Sequence, residues 1–409
     1  MNQDVRMRGF ATRTDVNHAI QWVDGHSSLS SVESISLLNS AGRVLADTVS
    51  SAVNVPGFRR AMMDGFAVRA QDVLGAGSYN PIELEVVGEI LPGENGQFQV
   101  GPRQAVRVMT GAEVPASTDA VVPVESTEFD ADHQGRVLIL SSIPQQKNVA
   151  KIGEDVAVGE GVLSNGRRLR PQDVGVLASI GIAAVEVYRK PRVRIIVTGN
   201  ELLPPGSCPQ GVQIVDSNSP MLQALIERDG GEVIHPGIIR DDPNQILMAM
   251  QDACDVLLVS GGSSTGREDF APGILRKHGE LPIHGIAMRP SSPAGMGIMG
   301  NRPVFLLPGN PVSCLCAYDF FAGRCIRRMS GRSGDWPYSS ECLPLSSKLV
   351  SVVGRTDYAR VQITENGVRP IAISGASILS STTKADGFCI IPADSEGYAA
   401  GTEIEVYLY

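Results

Sequence analysis

The sequence predicts a multidomain α/β protein in which a doubly wound parallel sheet is joined to domains of short β-strands. Its 409 residues exceed what one hydrophobic core usually organises, which implies three or four domains. Between Lys190 and Met329, apolar β-branched runs alternate with helix-patterned stretches, the signature of a parallel sheet covered on both faces. On either side of this region the pattern changes to short β-type runs broken by Gly, Pro and Asn.

Taken in order, a helical stretch opens at Asp15 and leads through a second one, around Ser31 to Leu38, into GRVLA at Gly42 to Ala46. From Val55 to Ser142 the runs Ile82 to Ile90, Gln104 to Met109, Ala120 to Glu125 and Arg136 to Leu140 predict a small β domain. Val149 to Tyr188 reads as a turn, a helix of about ten residues and a strand. RVRIIVTG, GEVIHPGII, DVLLVSGG and PVFLLPGN are the strands of the α/β region, with helices near Pro220 to Asp229 and Pro243 to Ala253, and another through Ala317. Beyond Gly334 short strands return, predicting an all-β tail.

Composition excludes several classes. A net charge of −9 offers no basic surface for nucleic acid or anionic lipid. No run of about 18 apolar residues occurs, and MNQDVRMRGF has no apolar stretch behind it, so the chain reads as cytosolic and unprocessed. Its seven scattered cysteines predict buried structural thiols rather than disulfides or metal ligands. The six histidines show no HxxxH or HExxH spacing, which leaves a zinc hydrolase unsupported.

The chemistry is expected at the C-terminal strand ends, where ligands of doubly wound sheets bind. Three loops leave those ends: TGNEL at Thr198 to Leu202, SGGSSTGREDF at Ser260 to Phe270, and LPGNPVS at Leu307 to Ser313. Glycine lets backbone amides approach a ligand, and a helix start such as Asn310-Pro311 carries partial positive charge, so these loops predict anion or phosphate binding. The P-loop lysine and the GxGxxG fingerprint are both absent, and Gly261 and Gly262 read equally as a plain turn when taken alone.

Carboxylates gather at the same ends, namely Glu201, Asp216, Asp241, Asp242, Glu268 and Asp269. Acids beside a phosphate cradle suit Mg²⁺, with Glu201, Asp241 and Asp269 the stronger candidates. The alternative is that Asp241 caps the helix after it and Glu268 is solvated. Asp64, in PGFRRAMMDGFAVRA, reads by itself as an Asp-Gly turn.

Eight ordered motifs together resemble the MoeA family of molybdopterin molybdenumtransferases, whose unit also forms the E domains of gephyrin and plant Cnx proteins. They are PGFRRAMMDGFAVR, RVMTGAEVP, GEDV, TGNEL, VDSN at Val215 to Asn218, GIIRDDP, SGGSSTGREDF and LPGNPVS, and the resemblance runs from about Asp15 to the C-terminus. The resemblance implies a linking domain made of residues 1–53 and 142–188, an inserted β domain at 54–141, a molybdopterin-binding α/β domain at 189–334 and a C-terminal β domain at 335–409. It implies a homodimer whose composite site receives adenylylated molybdopterin and molybdate and releases AMP with Mg²⁺. A molybdopterin adenylyltransferase and molybdoenzyme maturation factors are the implied partners.

Residue by residue, the resemblance assigns catalytic roles to Asp64, Thr110, Glu201, Asp241 and Asp269, with Asp241, Asp269 and Glu201 holding the metal. Ligand contacts fall to Thr198 and Gly199 in the first loop, and to Asp216, Ser217 and Asn218 in VDSN. Gly261, Gly262, Ser263, Ser264 and Gly266 serve in the second loop; Pro308, Gly309, Asn310, Pro311 and Ser313 serve in the third. One segment departs from the family pattern. GIAMRPSSP at Gly285 to Pro293 replaces K-x-x-x-KPGKP, so Gly285 and Ser292 stand for lysines and Arg289 for the remaining one. Arginine keeps the charge with a planar fork, so the oxyanion pocket is expected to use Arg289, Ser291 and Ser292. The alternatives are that Arg289 pairs with a surface carboxylate and fixes the loop, and that the chain is a molybdopterin-binding scaffold or handles another oxyanion such as tungstate.

Overall fold

The computed structural model describes residues 10, 12–129, 135–262, 269–372 and 375–409. The chain divides into two compact units, one of Met1–Ser34, Gly42–Ala46 and Glu186–Tyr409, the other of Ile35–Ala41 and Asp47–Val185.

The second unit is organised by a six-stranded sheet in the order Ala120–Pro123, Gly65–Val68, Gln104–Val108, Ile82–Ile90, Arg136–Ile139, Thr127–Phe129. Successive side chains alternate between two cores, as the strand period requires. Phe66, Val68 and Ala105 pack with Leu84 and Ile139 on one face, while Ala67, Val106 and Val108 pack with Ile90 and Val121 on the other. Gly65 is dictated by close approach, because a Cβ there would lie 2.0 Å from the Val122 carbonyl oxygen. Antiparallel pairing of Gly65 with Val108 brings the residues just before one strand and just after the other to the same end of the sheet.

The helix expected around Ser31 to Leu38 is instead the strand Val32–Ser36 followed by a single 3₁₀ turn, Leu37–Asn39. The alternating exposure of VESIS has period two, and the run is too short to sustain a helix without a packed apolar face.

In the first unit, helix Val16–Gly25 is capped by Asp15, whose carboxylate accepts from the Asn17 amide at 2.8 Å. The main sheet runs Glu232–Ile234, Arg192–Thr198, Val256–Ser260, Arg302–Leu307, Gly295–Met299, Glu280–His284, with Ile238–Ile239 also beside Arg192–Thr198. The first four strands are parallel and the last two antiparallel, so the doubly wound core carries an antiparallel edge. Ile195, Val197 and Leu258 face one core, Ile196, Leu257 and Val259 the other.

The tail forms a six-stranded sheet of Ser340–Pro344, Thr356–Thr364, Gly367–Ala372, Gly387–Ile391, Glu403–Leu408 and the short strand Met288–Arg289. That last strand pairs in parallel with the tail, Met288 opposite Thr356 and Arg289 opposite Asp357, so the unusual RPSSP segment is pinned to the C-terminal sheet. Among the described residues no helix is long and apolar enough to cross a membrane. All seven cysteines are free, and Cys314, Cys316, Cys325 and Cys389 are buried, whereas Cys208 and Cys342 are exposed, against expectation. Burial pushes the Cys314 thiol up to about 12, which makes it unreactive at neutral pH.

Candidate functional site

The three polar loops meet in a cleft of about 670 Å³ at the C-terminal ends of the parallel strands. Thr198 ends the first strand, buried, and its hydroxyl has no hydrogen-bond partner. Gly261 follows the strand Val256–Ser260 with φ +87°, and a Cβ there would lie 2.4 Å from the Thr198 carbonyl oxygen. Only glycine allows the second loop to pass so near the first. Gly262 and Gly309 line the same cleft, with Pro308, Asn310 and Pro311 at the start of helix Pro311–Ala317.

Asn218 ties these loops together. Its side-chain amide donates to Ser260 Oγ at 2.9 Å and to the Gly309 carbonyl at 2.8 Å, while its own Oδ1 is buried without a partner. Asp216, also buried, is occupied as a cap: Oδ1 accepts from the amides of Asn218 (2.9 Å) and Ser219 (3.0 Å), and Oδ2 accepts from the Ser219 hydroxyl. Ser217 stands at the N-cap position of helix Asn218–Asp229 without a side-chain cap bond, and it too lines the cleft.

Glu201, Asp241 and Asp269 line this cleft as well. The capping role considered for Asp241 belongs to Asp242, whose Oδ1 accepts from the Gln245 amide at 2.8 Å. Asp241 is thereby left beside the first strand end, where Oδ2 accepts from the Asn200 amide at 3.1 Å. Among the described residues no three His, Cys, Asp or Glu side chains converge closely enough to hold a metal ion by themselves. An ion here would complete its shell with phosphate oxygens and water, the usual manner of Mg²⁺. Two buried, unpaired polar atoms in one glycine-lined cleft, Thr198 Oγ1 and Asn218 Oδ1, fit a polar ligand, because leaving each unpaired costs about 1–3 kcal/mol. Ser263, Ser264, Gly266 and Glu268 lie outside the described residues.

A second cleft, of about 710 Å³, adjoins the first and shares Pro293, Pro308 and Asn310 with it. Arg289, Ser291, Ser292 and Ser313 line it, joined by Arg13 and Arg355, which the sequence reading did not single out. Arg289 pairs with a carboxylate, as one alternative had it, but a buried one: its Nη2 donates to Asp357 Oδ2 at 2.8 Å, and Asp357 is fully buried. The same carboxylate accepts from Arg355 Nε at 3.0 Å and Ser351 Oγ at 2.8 Å. Ser291, at φ +87°, donates its hydroxyl to the Ser313 carbonyl at 2.5 Å. Ser292 Oγ is buried and unpaired.

In the other unit, Asp64 and Thr110 stand where the two paired strands begin and end. Asp64 Oδ1 accepts from the Thr110 hydroxyl at 2.7 Å and its amide at 2.6 Å. These two donors, helped by the charge of Arg107, hold the carboxyl below the usual carboxylate range. Both residues are exposed, so the arrangement presents an ionised carboxylate to solvent with its second oxygen available.

Comparison with known proteins agrees along the chain. The "MoeA N-terminal region (domain I and II)" matches residues 14–181, the "Probable molybdopterin binding domain" residues 194–328, and the "MoeA C-terminal region (domain IV)" residues 343–409. The molybdopterin molybdenumtransferase of Haemophilus influenzae is 32% identical over 386 residues, covering 91% of this chain and 93% of that protein. Molybdopterin molybdenumtransferase 2 of Mycobacterium tuberculosis is 34% identical over 386 residues, covering 91% and 94%. A crystal structure of a molybdopterin biosynthesis MoeA protein from Pyrococcus horikosii has a TM-score of 0.82 at 32% identity, covering 97% of this chain and 99% of that one.

Proposed function

The chain belongs to the MoeA family, and on that premise we propose that it acts in molybdenum-cofactor synthesis, placing molybdate into adenylylated molybdopterin with Mg²⁺-dependent release of AMP. The observation that carries this reading is the first cleft, where a glycine-lined anion cradle with an unpaired Thr198 hydroxyl also presents Glu201, Asp241 and Asp269. Backbone amides around Gly261, Gly262 and Gly309 suit phosphate oxygens, and the hydroxyl of Thr198 adds a donor. Asp241 and Asp269, with Glu201 at the exposed rim, are the residues that would hold Mg²⁺. A divalent ion held there would supply the charge that offsets the phosphates and polarises the attacking water. The oxyanion is assigned to the adjoining cleft, beside Ser292 and the Arg289–Asp357–Arg355 cluster, because a tetrahedral dianion needs charged or hydroxyl donors.

This proposal extends to organisation. A linking domain of residues 1–53 and 142–188, an inserted domain at 54–141, an α/β domain at 189–334 and a C-terminal domain at 335–409 are supported by the family resemblance and by the distinct sheets centred on the last three spans, the last of which also takes in the strand Met288–Arg289. Homodimerisation, a site shared between copies through Asp64 and Thr110, and an adenylyltransferase partner rest on the resemblance.

AMP release from adenylylated molybdopterin, measured with and without Mg²⁺, tests the reading. Asp241→Ala and Asp269→Ala should each slow release by several orders of magnitude. Unchanged release in both variants removes these acids from the site. Pterin binding without any release by the wild type points instead to a carrier.

A further inference from the structure

Three guanidinium groups line the second cleft, and no Asp or Glu does among the described residues. Two of the three are already neutralised in part: Arg289 and Arg355 share the buried Asp357 carboxylate at 2.8 and 3.0 Å. The third, Arg13, is exposed and has no hydrogen-bond or ion-pair partner among the described residues. Ser292, whose Oγ is buried and unpaired, lines the same cleft.

Arg13 is held at the cleft by an arm that docks on the departing GIAMRPSSP segment. The Thr14 amide donates to the Gly285 carbonyl at 2.9 Å, and the Ala287 amide donates to the Thr14 carbonyl at 2.8 Å, a parallel bridge centred on Ile286. Phe10 meets the His284 ring edge-on, with centroids 5.0 Å apart. Its ring also covers Gly285, where φ is +91° and a Cβ would lie 2.6 Å from a ring carbon. Backbone conformation and ring contact therefore both demand glycine at 285. A lysine there is incompatible with Phe10 in this position.

We infer that Arg13 is an oxyanion-binding cation of the second cleft, receiving a tetrahedral dianion together with the Ser292 hydroxyl, and that Phe10 packed on Gly285 is what positions it. This rests on the proposed placement of the oxyanion in the second cleft. Arginine suits the task because its planar fork offers two parallel donors to one oxyanion. Arg289 and Arg355 line the same cleft, with their charge shared by Asp357. Among the described residues no carboxylate offsets the charge of Arg13.

Equilibrium dialysis of the full chain against molybdate, and against tungstate as a second probe, tests this at fixed ionic strength. Arg13→Ala should weaken oxyanion binding roughly tenfold, the scale of one charge-assisted hydrogen bond, and Arg13→Lys should restore part of it. Phe10→Ala should weaken binding to a similar degree, and the double variant no further. Adenylylated molybdopterin should bind all variants as it binds wild type. Wild-type oxyanion affinity in Arg13→Ala overturns the inference while leaving the proposed function intact. Wild-type affinity in Phe10→Ala overturns the arm's part in it. A wild type that takes up neither oxyanion overturns the placement itself, and with it this inference.

Discussion

At the scale of single residues, Asp64 keeps one carboxylate oxygen available because Thr110 holds the other with two donors. Its carboxyl lies below the ordinary range in the folded chain, so the ionised form persists to lower pH than in an unfolded chain. Any stability it contributes is present above the ordinary carboxylate pKa and is lost as pH falls through the depressed one. Thr110→Val removes the hydroxyl donor and keeps the amide, so the Asp64 pKa should rise and the acid limb of activity should move to higher pH. A carboxyl NMR titration checks this, and an unmoved Asp64 resonance refutes the assigned cause. Arg289 teaches the opposite lesson. Its partner Asp357 is fully buried, so Arg289→Ala leaves that charge to Arg355 and Ser351 alone. We expect a stability loss on the order of 1–3 kcal/mol by urea denaturation, accompanying any loss of oxyanion binding. An unchanged denaturation midpoint would show that the pair contributes nothing net to the fold.

At the scale of elements, adjacent aspartates have different tasks because of where a helix begins. Asp242 caps Pro243–Gln251, and its replacement by Ala should cost about 1 kcal/mol in a denaturant titration. Asp241→Ala should leave the midpoint nearly unaltered while slowing AMP release. The reverse pattern would exchange the two roles. Asp216→Ala should resemble Asp242→Ala in stability, with faster amide exchange at Asn218 and Ser219, whose amides it accepts from. Gly261 sets the loop geometry: a side chain there meets the Thr198 carbonyl oxygen at 2.4 Å with φ at +87°. Gly261→Ala should therefore destabilise by more than about 1 kcal/mol and weaken pterin binding together.

At the scale of the whole molecule, the proposed homodimer makes a distinctive prediction. Mixing Asp64→Ala subunits with Asp269→Ala subunits should restore part of the activity, because an exchanged dimer holds one site with both acids intact. Verified heterodimers without activity would show that the two acids serve the same copy's site or different steps. The sequence by itself determined the α/β region, the β-rich flanks and the strand-end loops, since hydrophobic period and glycine placement are local properties that survive without tertiary context. Local pattern misled where a short run supports two periods, as in Val32–Ser36, and where a cap could fall on either of two neighbours, as at Asp241 and Asp242. Tertiary structure alone decided the second cleft. Arg13, Arg289 and the neighbours Arg355 and Asp357 come from three distant parts of the chain, and they meet through one parallel register, Arg289 opposite Asp357, and one arm seated over Gly285. Periodicity says which face of a strand is buried; which distant strand it lies beside depends on the packing of the whole unit, and a charge's partner follows from that.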